Sequence, residues 1–132
     1  MTNTAGYETE IEVRFSDFDA YGHVNNAVFL TYMETARTKL LRDQFVAWQN
    51  RGLLFLVARA ECDYRQPITF SDRVFVIIEI DRIGRSSFDL SYQLHNGAGR
   101  VFASARTVMV CFDAATATTV PVPNEFRQAL TL

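Results

Sequence analysis

The chain holds few of the residues that build metal sites and disulfide frameworks. Among its 132 residues are two cysteines, Cys62 and Cys111, and two histidines, His23 and His95. Neither cysteine has a C-x-x-C neighbour, so no zinc site is expected. Buried free thiols in a reducing compartment are the simple reading. Lysine is scarcer still, with Lys39 alone among arginines scattered from Arg14 to Arg127. A nucleic-acid partner calls for a basic stripe, and the formal net charge is only -2. No apolar run reaches the roughly 20 residues of a membrane helix, and the opening MTNTAGYETE lacks the apolar core of a signal peptide. No repeat, linker or low-complexity stretch interrupts the chain. These absences lead to the expectation of a soluble, cytoplasmic protein with no metal, no nucleic-acid partner and no membrane span.

What is present is apolar. Hydrophobic residues make up 48% of the chain, and there are 11 Phe. A packed core is within reach at this size, and residues 1–132 read as a single domain. YETEIEVRFS, from Tyr7 to Ser16, alternates. Glu8, Glu10, Glu12 and Arg14 fall on one side, and Thr9, Ile11, Val13 and Phe15 on the other, the period of a half-buried strand. From Asn26 to Trp48 the period lengthens. Phe29, Tyr32, Met33, Ala36 and Leu40 mark the stripe of one long amphipathic helix, and Gly52 is placed to end it. Four strands follow: LLFLVARAECDYRQP, DRVFVIIEIDRIG, RSSFDLSYQLHNG and RVFASARTVMVCFD, with Asn96-Gly97 as a hairpin turn. PNEFRQAL closes the chain as a helical turn. Strands joined by short turns pair antiparallel, and the helix stripe needs a cover. The expected fold is α+β, one antiparallel sheet wrapped around one long helix.

The stretch SDFDAYGHVNN, residues 16–26, puts two acids, a glycine, a histidine and two asparagines at the mouth of that helix. Backbone N–H groups of a first helical turn have no partners inside the helix and carry a partial positive charge. Asn25 or Asn26 can cap one of them. One cap needs one acceptor, which leaves Asp17, Asp19 and His23 unexplained. A free N–H at a helix start can also hold the oxygen of a polarised carbonyl. A carboxylate a few residues earlier can attack that carbonyl or direct a water to it.

RFSDFDAYGHVNNAVFLTYMETART, from Arg14 to Thr38, resembles the hot-dog fold acyl-CoA thioesterases of the 4-hydroxybenzoyl-CoA thioesterase type. Those enzymes share an acid-x-Asp step, a short glycine-containing turn and an aromatic-rich helix ending in Glu-x-Ala-Arg; Asp19, Gly22 and METAR match. HVNN, His23 to Asn26, is also similar to the loop of long-chain acyl thioesterases, including plant acyl-carrier-protein thioesterases. CDYRQPITFSD, Cys62 to Asp72, is similar to the family's aromatic-Arg-x-Pro-plus-Asp segment. The resemblance implies that Asp19 is the catalytic nucleophile or general base, that the backbone N–H near Asn26 polarises the carbonyl, and that His23 assists. Asp17 takes a structural part, and Glu34 is a buried partner for an arginine rather than the catalytic acid. Arg82, Arg85, Ser86 and Ser87 fall where the family's hydroxybenzoyl branch binds coenzyme A phosphates, chemistry that suits arginine and hydroxyl groups; a solvated turn accounts for them as well. Arg65 and Asp72 are expected to form an ion pair. Phe29, Tyr32, Met33 and Phe55 are candidates for an acyl slot or for ordinary core.

By the same resemblance no cofactor is needed. The expected partners are an acyl-CoA or acyl-carrier-protein thioester and further copies of this chain, as homodimer or homotetramer. Two other readings stand beside hydrolysis. One is a hydratase or dehydratase of enoyl or hydroxyacyl thioesters, whose motif sets His five residues after Asp; here the step from Asp19 to His23 is four. The other is a non-catalytic acyl-thioester-binding protein.

Overall fold

The alternating segment at the start makes a strand over only half its length. In the computed structural model, which describes residues 6–131, β1 (Tyr7–Ile11) pairs antiparallel with β3 (Val74–Ile83), and Ile11 opposite Val74 is the last rung. Beyond Val74 no partner strand continues among the described residues, so the chain leaves the sheet and turns once at Phe15–Asp17. The other strands are β2 (Leu53–Tyr64), β4 (Ser87–His95), β5 (Val101–Asp113) and the two-residue β6 (Thr118–Thr119). The sheet order is β1-β3-β4-β5-β2, antiparallel throughout, with β6 on β5. Short turns do join β3 to β4 and β4 to β5, as expected. β2 does not pair with its successor: it lies at the far edge beside β5, and residues 65–73 carry the chain across to β3.

The expected long helix is two. α1 (Asn26–Leu40) and α2 (Arg42–Gln49) meet at Leu41, whose φ of -106° and ψ of 18° leave the helical region. Leu41 is itself buried. The bend lets the second segment turn its apolar residues onto β2, where a straight helix would carry them past the sheet. Trp48 then packs edge-on against Phe55 of β2 at 4.7 Å and Phe126 of α3 (Asn124–Thr131) at 4.4 Å. Gly52, at φ 77°, ends this pair of helices as expected.

The sheet curls around α1. Phe29, Tyr32, Met33 and Ala36 of the helix are buried against Val74, Val76 and Ile78 of β3 and Leu90, Tyr92 and Leu94 of β4. Each large apolar side chain removed from water in this way stabilises the fold by about 1.5–3 kcal/mol. The opposite face of the sheet is polar, with Asp81 accepting from Ser91 at 3.1 Å and Arg106 at 3.2 Å. The sheet-around-a-helix architecture expected from the sequence is the one present. Among the described residues no helix is long and apolar enough to cross a membrane.

Candidate active site

The loop entering α1 is fixed by its own backbone. Phe18 bridges to Val24, the Asp19 N–H donates to the His23 carbonyl at 2.8 Å, and the Gly22 N–H donates to the Asp19 carbonyl at 3.1 Å. Gly22 sits at φ 78°, a left-handed conformation that side chains resist. The Val24 N–H donates to the Ile68 carbonyl at 2.9 Å, tying the loop to the β2–β3 connection. Asn25 is the cap of α1: its side chain accepts from the Ala27 N–H at 2.9 Å. That leaves Asn26 as the first helical residue, with no acceptor for its N–H among the described residues.

Asp19, His23 and Asn26 therefore come together. With Val24, Phe29, Tyr64, Arg65, Gln66 and Pro67 they line one cleft of about 220 Å³. Asp19 Oδ1 accepts from the Tyr21 N–H at 2.9 Å and the His23 N–H at 3.3 Å. Its Oδ2 has no hydrogen bond among the described residues. The carboxylate is thus oriented by one oxygen and available through the other.

The far wall was not legible in the opening motif. Tyr64, at the end of β2, donates its hydroxyl to the Asn26 carbonyl at 2.8 Å and meets Phe29 edge-on at 5.0 Å. Burial pushes its hydroxyl pKa up. Arg100 braces the loop behind it, donating to Gln66 Oε1 at 2.5 Å and the Pro67 carbonyl at 3.5 Å. The only sequence signal for this wall is the CDYRQP segment. Arg65 and Asp72 do not pair. Arg65 Nε donates to Ser104 Oγ at 3.2 Å, whereas Asp72 Oδ2 accepts from the N–H and hydroxyl of Thr69. The crossover turns at Thr69 to Asp72 and closes on itself, out of line with Arg65.

Asp17 is buried, with Tyr32 and Arg14 as its donors, in keeping with a structural part. For Glu34 and its arginine the expected burial is reversed. Glu34 keeps 66% of its side chain exposed while Arg37, 3.8 Å away, is the buried member. Arg37 lies beside Tyr92, which shares a 2.7 Å hydrogen bond with Thr107. A second hollow of about 240 Å³ runs here between α1 and β2, lined by Leu30, Met33, Arg37, Val57, Ala60 and Thr107 among others. Of the four residues named for an acyl slot, Phe29 lines the first cleft and Met33 the second. Tyr32 is buried in the core, and Phe55 is half-buried against it, packed on Trp48, Phe88 and Phe126.

Arg82 near the end of β3, Arg85 and Ser86 in the β3–β4 turn, and Ser87 at the start of β4 lie together at the other end of the sheet. Tyr64 pairs with Ala103 and Ser87 with Val110; on a rise of roughly 3.3 Å per residue the two levels of β5 are about 23 Å apart. Arg82 is occupied, donating to Ser87 Oγ and Asp89 at 3.3 Å. The Arg85 side chain is exposed and has no partner among the described residues. Among the described residues no three His, Cys, Asp or Glu side chains gather as metal ligands.

Residues 13–130 match the family model of the thioesterase-like superfamily. The chain is 31% identical to the long-chain acyl-CoA thioesterase FadM of Escherichia coli (strain K12), over 93% of this chain and 96% of that protein. It is 32% identical to the 1,4-dihydroxy-2-naphthoyl-CoA hydrolase of Thermosynechococcus vestitus, over 85% of this chain and 80% of the other. A thioesterase from Thermus thermophilus, solved in complex with coenzyme A and Zn, superposes with a TM-score of 0.81 at 37% identity, covering 93% of this chain and 90% of that one. A sheet curled around a helix whose first turn faces an oriented carboxylate agrees with these likenesses in sequence and structure: the chain belongs to the thioesterase-like superfamily and has its hot-dog fold.

Proposed function

We propose that this protein hydrolyses acyl-CoA thioesters at the cleft between Asp19 and the first turn of α1. The observation that carries the reading is the pair of groups lining that cleft, a carboxylate with one oxygen held and one clear, and a helix-start N–H, neither the clear oxygen nor the N–H having a partner among the described residues. Asp19 acts as general base on a water, or as nucleophile on the carbonyl carbon. The Asn26 N–H and the helix dipole stabilise the oxyanion that forms. With Asp19 as base, it takes the proton of the attacking water, collapse breaks the C–S bond, and the thiolate takes up that proton, giving free acid and thiol. With Asp19 as nucleophile, collapse expels the thiolate and leaves a mixed acyl–Asp19 anhydride, which water then hydrolyses, its proton going to the thiolate. His23 assists from the same loop. The acyl chain follows the seam between α1 and β2 from the cleft into the second hollow.

The assembly is at least a homodimer. β2 is an edge strand of 12 residues with Leu56 and Val57 exposed, and Leu30 of α1 is exposed beside the same seam. Long apolar edges are satisfied by pairing. A two-fold pairing of β2 with its copy runs antiparallel and is isologous. It brings each 82–87 segment toward the cleft of the other chain, so Arg85 of the partner subunit is the candidate for the coenzyme A phosphates. Both cysteines are free, in keeping with the cytoplasmic compartment expected.

The test is release of free thiol from a panel of aliphatic, hydroxylated and aromatic acyl-CoAs. Asp19→Asn should lower kcat by roughly 10²-fold or more, the scale of general-base catalysis, with acyl-CoA binding retained. Activity that survives the change removes Asp19 from the chemistry. Tight acyl-CoA binding with no thiol release from any substrate identifies a binding protein instead.

A further inference from the structure

Asp17 is two residues before Asp19 and cannot share its work. It is 1% exposed, and both oxygens are filled. Oδ2 accepts from the Tyr32 hydroxyl at 2.6 Å and the Arg14 N–H at 2.9 Å; Oδ1 accepts from Arg14 Nε at 3.2 Å and Nη2 at 2.9 Å. No lone pair remains for a water or a substrate. Its carbonyl has a separate partner, accepting from the Asn25 N–H at 2.9 Å. Asp17 is thus bonded to the turn before the loop, to the middle of α1, and to the cap residue immediately before Asn26.

We propose that Arg14, Asp17 and Tyr32 are positioning residues that fix the Asp19 carboxylate relative to the Asn26 N–H. The inference rests on the thioester-hydrolase reading of the cleft. Tyr32 is the part that gives it content, because its hydroxyl comes from α1 itself. One rigid element carries both the N–H that meets the oxyanion and the donor that anchors the loop bearing the base. A small displacement between such groups costs catalysis far more than binding. Burial pushes the Asp17 carboxyl up, but the hydrogen bonds from Tyr32 and Arg14 outweigh it and hold the group below its ordinary value. Arg14 and Tyr32 are the charged and titratable groups that face it. A lowered carboxylate keeps its anionic bonds above the ordinary value and loses them as pH falls through the lowered one.

Tyr32→Phe removes one hydroxyl and keeps the ring in the core. The expected result is a kcat lower by about 10- to 100-fold, with KM within about twofold of wild type. The acid limb of the kcat profile should also move to higher pH, because Asp17 loses part of what holds it down. The Arg14 side chain is 62% exposed, so Arg14→Ala opens no cavity, but it strips Asp17 Oδ1 of both donors. Measured at a temperature where the variant is folded by circular dichroism, it should lower kcat, and Arg14→Lys should recover part of the loss. Hydrogen exchange at the Asn25 amide should quicken in Tyr32→Phe whether or not the protein releases thiol. That readout separates this inference from the activity assigned to the cleft: if wild type shows no hydrolysis, the exchange result still decides the brace. Unchanged kcat, acid limb and Asn25 exchange in both Tyr32→Phe and Arg14→Ala overturn the proposal. So does a loss of kcat that only tracks the fraction of protein folded at the assay temperature.

Discussion

His23 shows how much of a motif residue is backbone. Its N–H and carbonyl both bind Asp19, while its ring only borders the cleft. His23→Ala keeps both backbone bonds and removes the ring. Its kcat should fall less than tenfold, against roughly 10²-fold for Asp19→Asn. An equal loss in steady-state thiol release would make the imidazole a partner in proton transfer. Asp19, His23 and Asn26 were legible in the sequence because one short loop carries all three. Tyr64, Gln66 and Pro67 stand out in the sequence only as part of CDYRQP, and their place at the cleft was not legible, since they reach it only because β2 crosses to the sheet edge beside α1, and no local spacing encodes that. The cysteines divide in a similar way. Burial pushes the Cys111 thiol up to about 12, and burial also raises that of Cys62, which is half-buried on the edge strand. At pH 8 iodoacetamide should label native Cys62 slowly and leave Cys111 unlabelled. Unfolding in urea should make both react, with peptide mass spectrometry as the readout.

At the scale of elements, periodicity found every long strand and the existence of the helix, because a half-buried surface imposes its period on the sequence. It missed the break at Leu41. No proline or glycine marks that position, and the stripe merely shifts phase as the helix bends onto β2. It also ran β1 five residues too long, since alternation continues in Glu12–Ser16 while a strand needs a neighbour to pair with. The bend has a measurable consequence. Trp48, buried on α2, closes an aromatic cluster of Phe55, Phe88 and Phe126 that joins α2, β2, β4 and α3. Trp48→Ala should cost about 3–5 kcal/mol, the range for a large aromatic deleted from a core. Urea unfolding followed by circular dichroism tests this, because Trp48 is the only tryptophan and fluorescence would vanish with it. A cost under about 1 kcal/mol would mean that α2 and α3 are not held through this cluster.

At the scale of the molecule, the cleft and the 82–87 segment lie at opposite ends of one sheet, and the proposed pairing of β2 edges would bring the cleft of one chain to the 82–87 segment of the other. Arg85→Ala should then raise KM for acyl-CoA with little change in kcat, the signature of lost uniform binding. Which chain supplies the arginine is open to a direct test. Co-expression of Asp19→Asn and Arg85→Ala chains under two different tags allows the mixed dimer to be purified through both tags in turn. If each site takes Asp19 from one chain and Arg85 from the other, the mixed dimer has one site with both defects and one site intact. At substrate well below KM it should then show about half the wild-type rate, since the two sites of an isologous dimer are equivalent. The Asp19→Asn homodimer should be nearly inactive, and the Arg85→Ala homodimer should be slowed by its raised KM. If both groups come from the same chain, each site of the mixed dimer carries one defect, and its rate should be the mean of the two homodimer rates, well below half that of wild type. Failure to recover any doubly tagged species, with a single 15.0 kDa component in sedimentation equilibrium, would remove the shared site altogether and leave the β2 edge unpaired in solution.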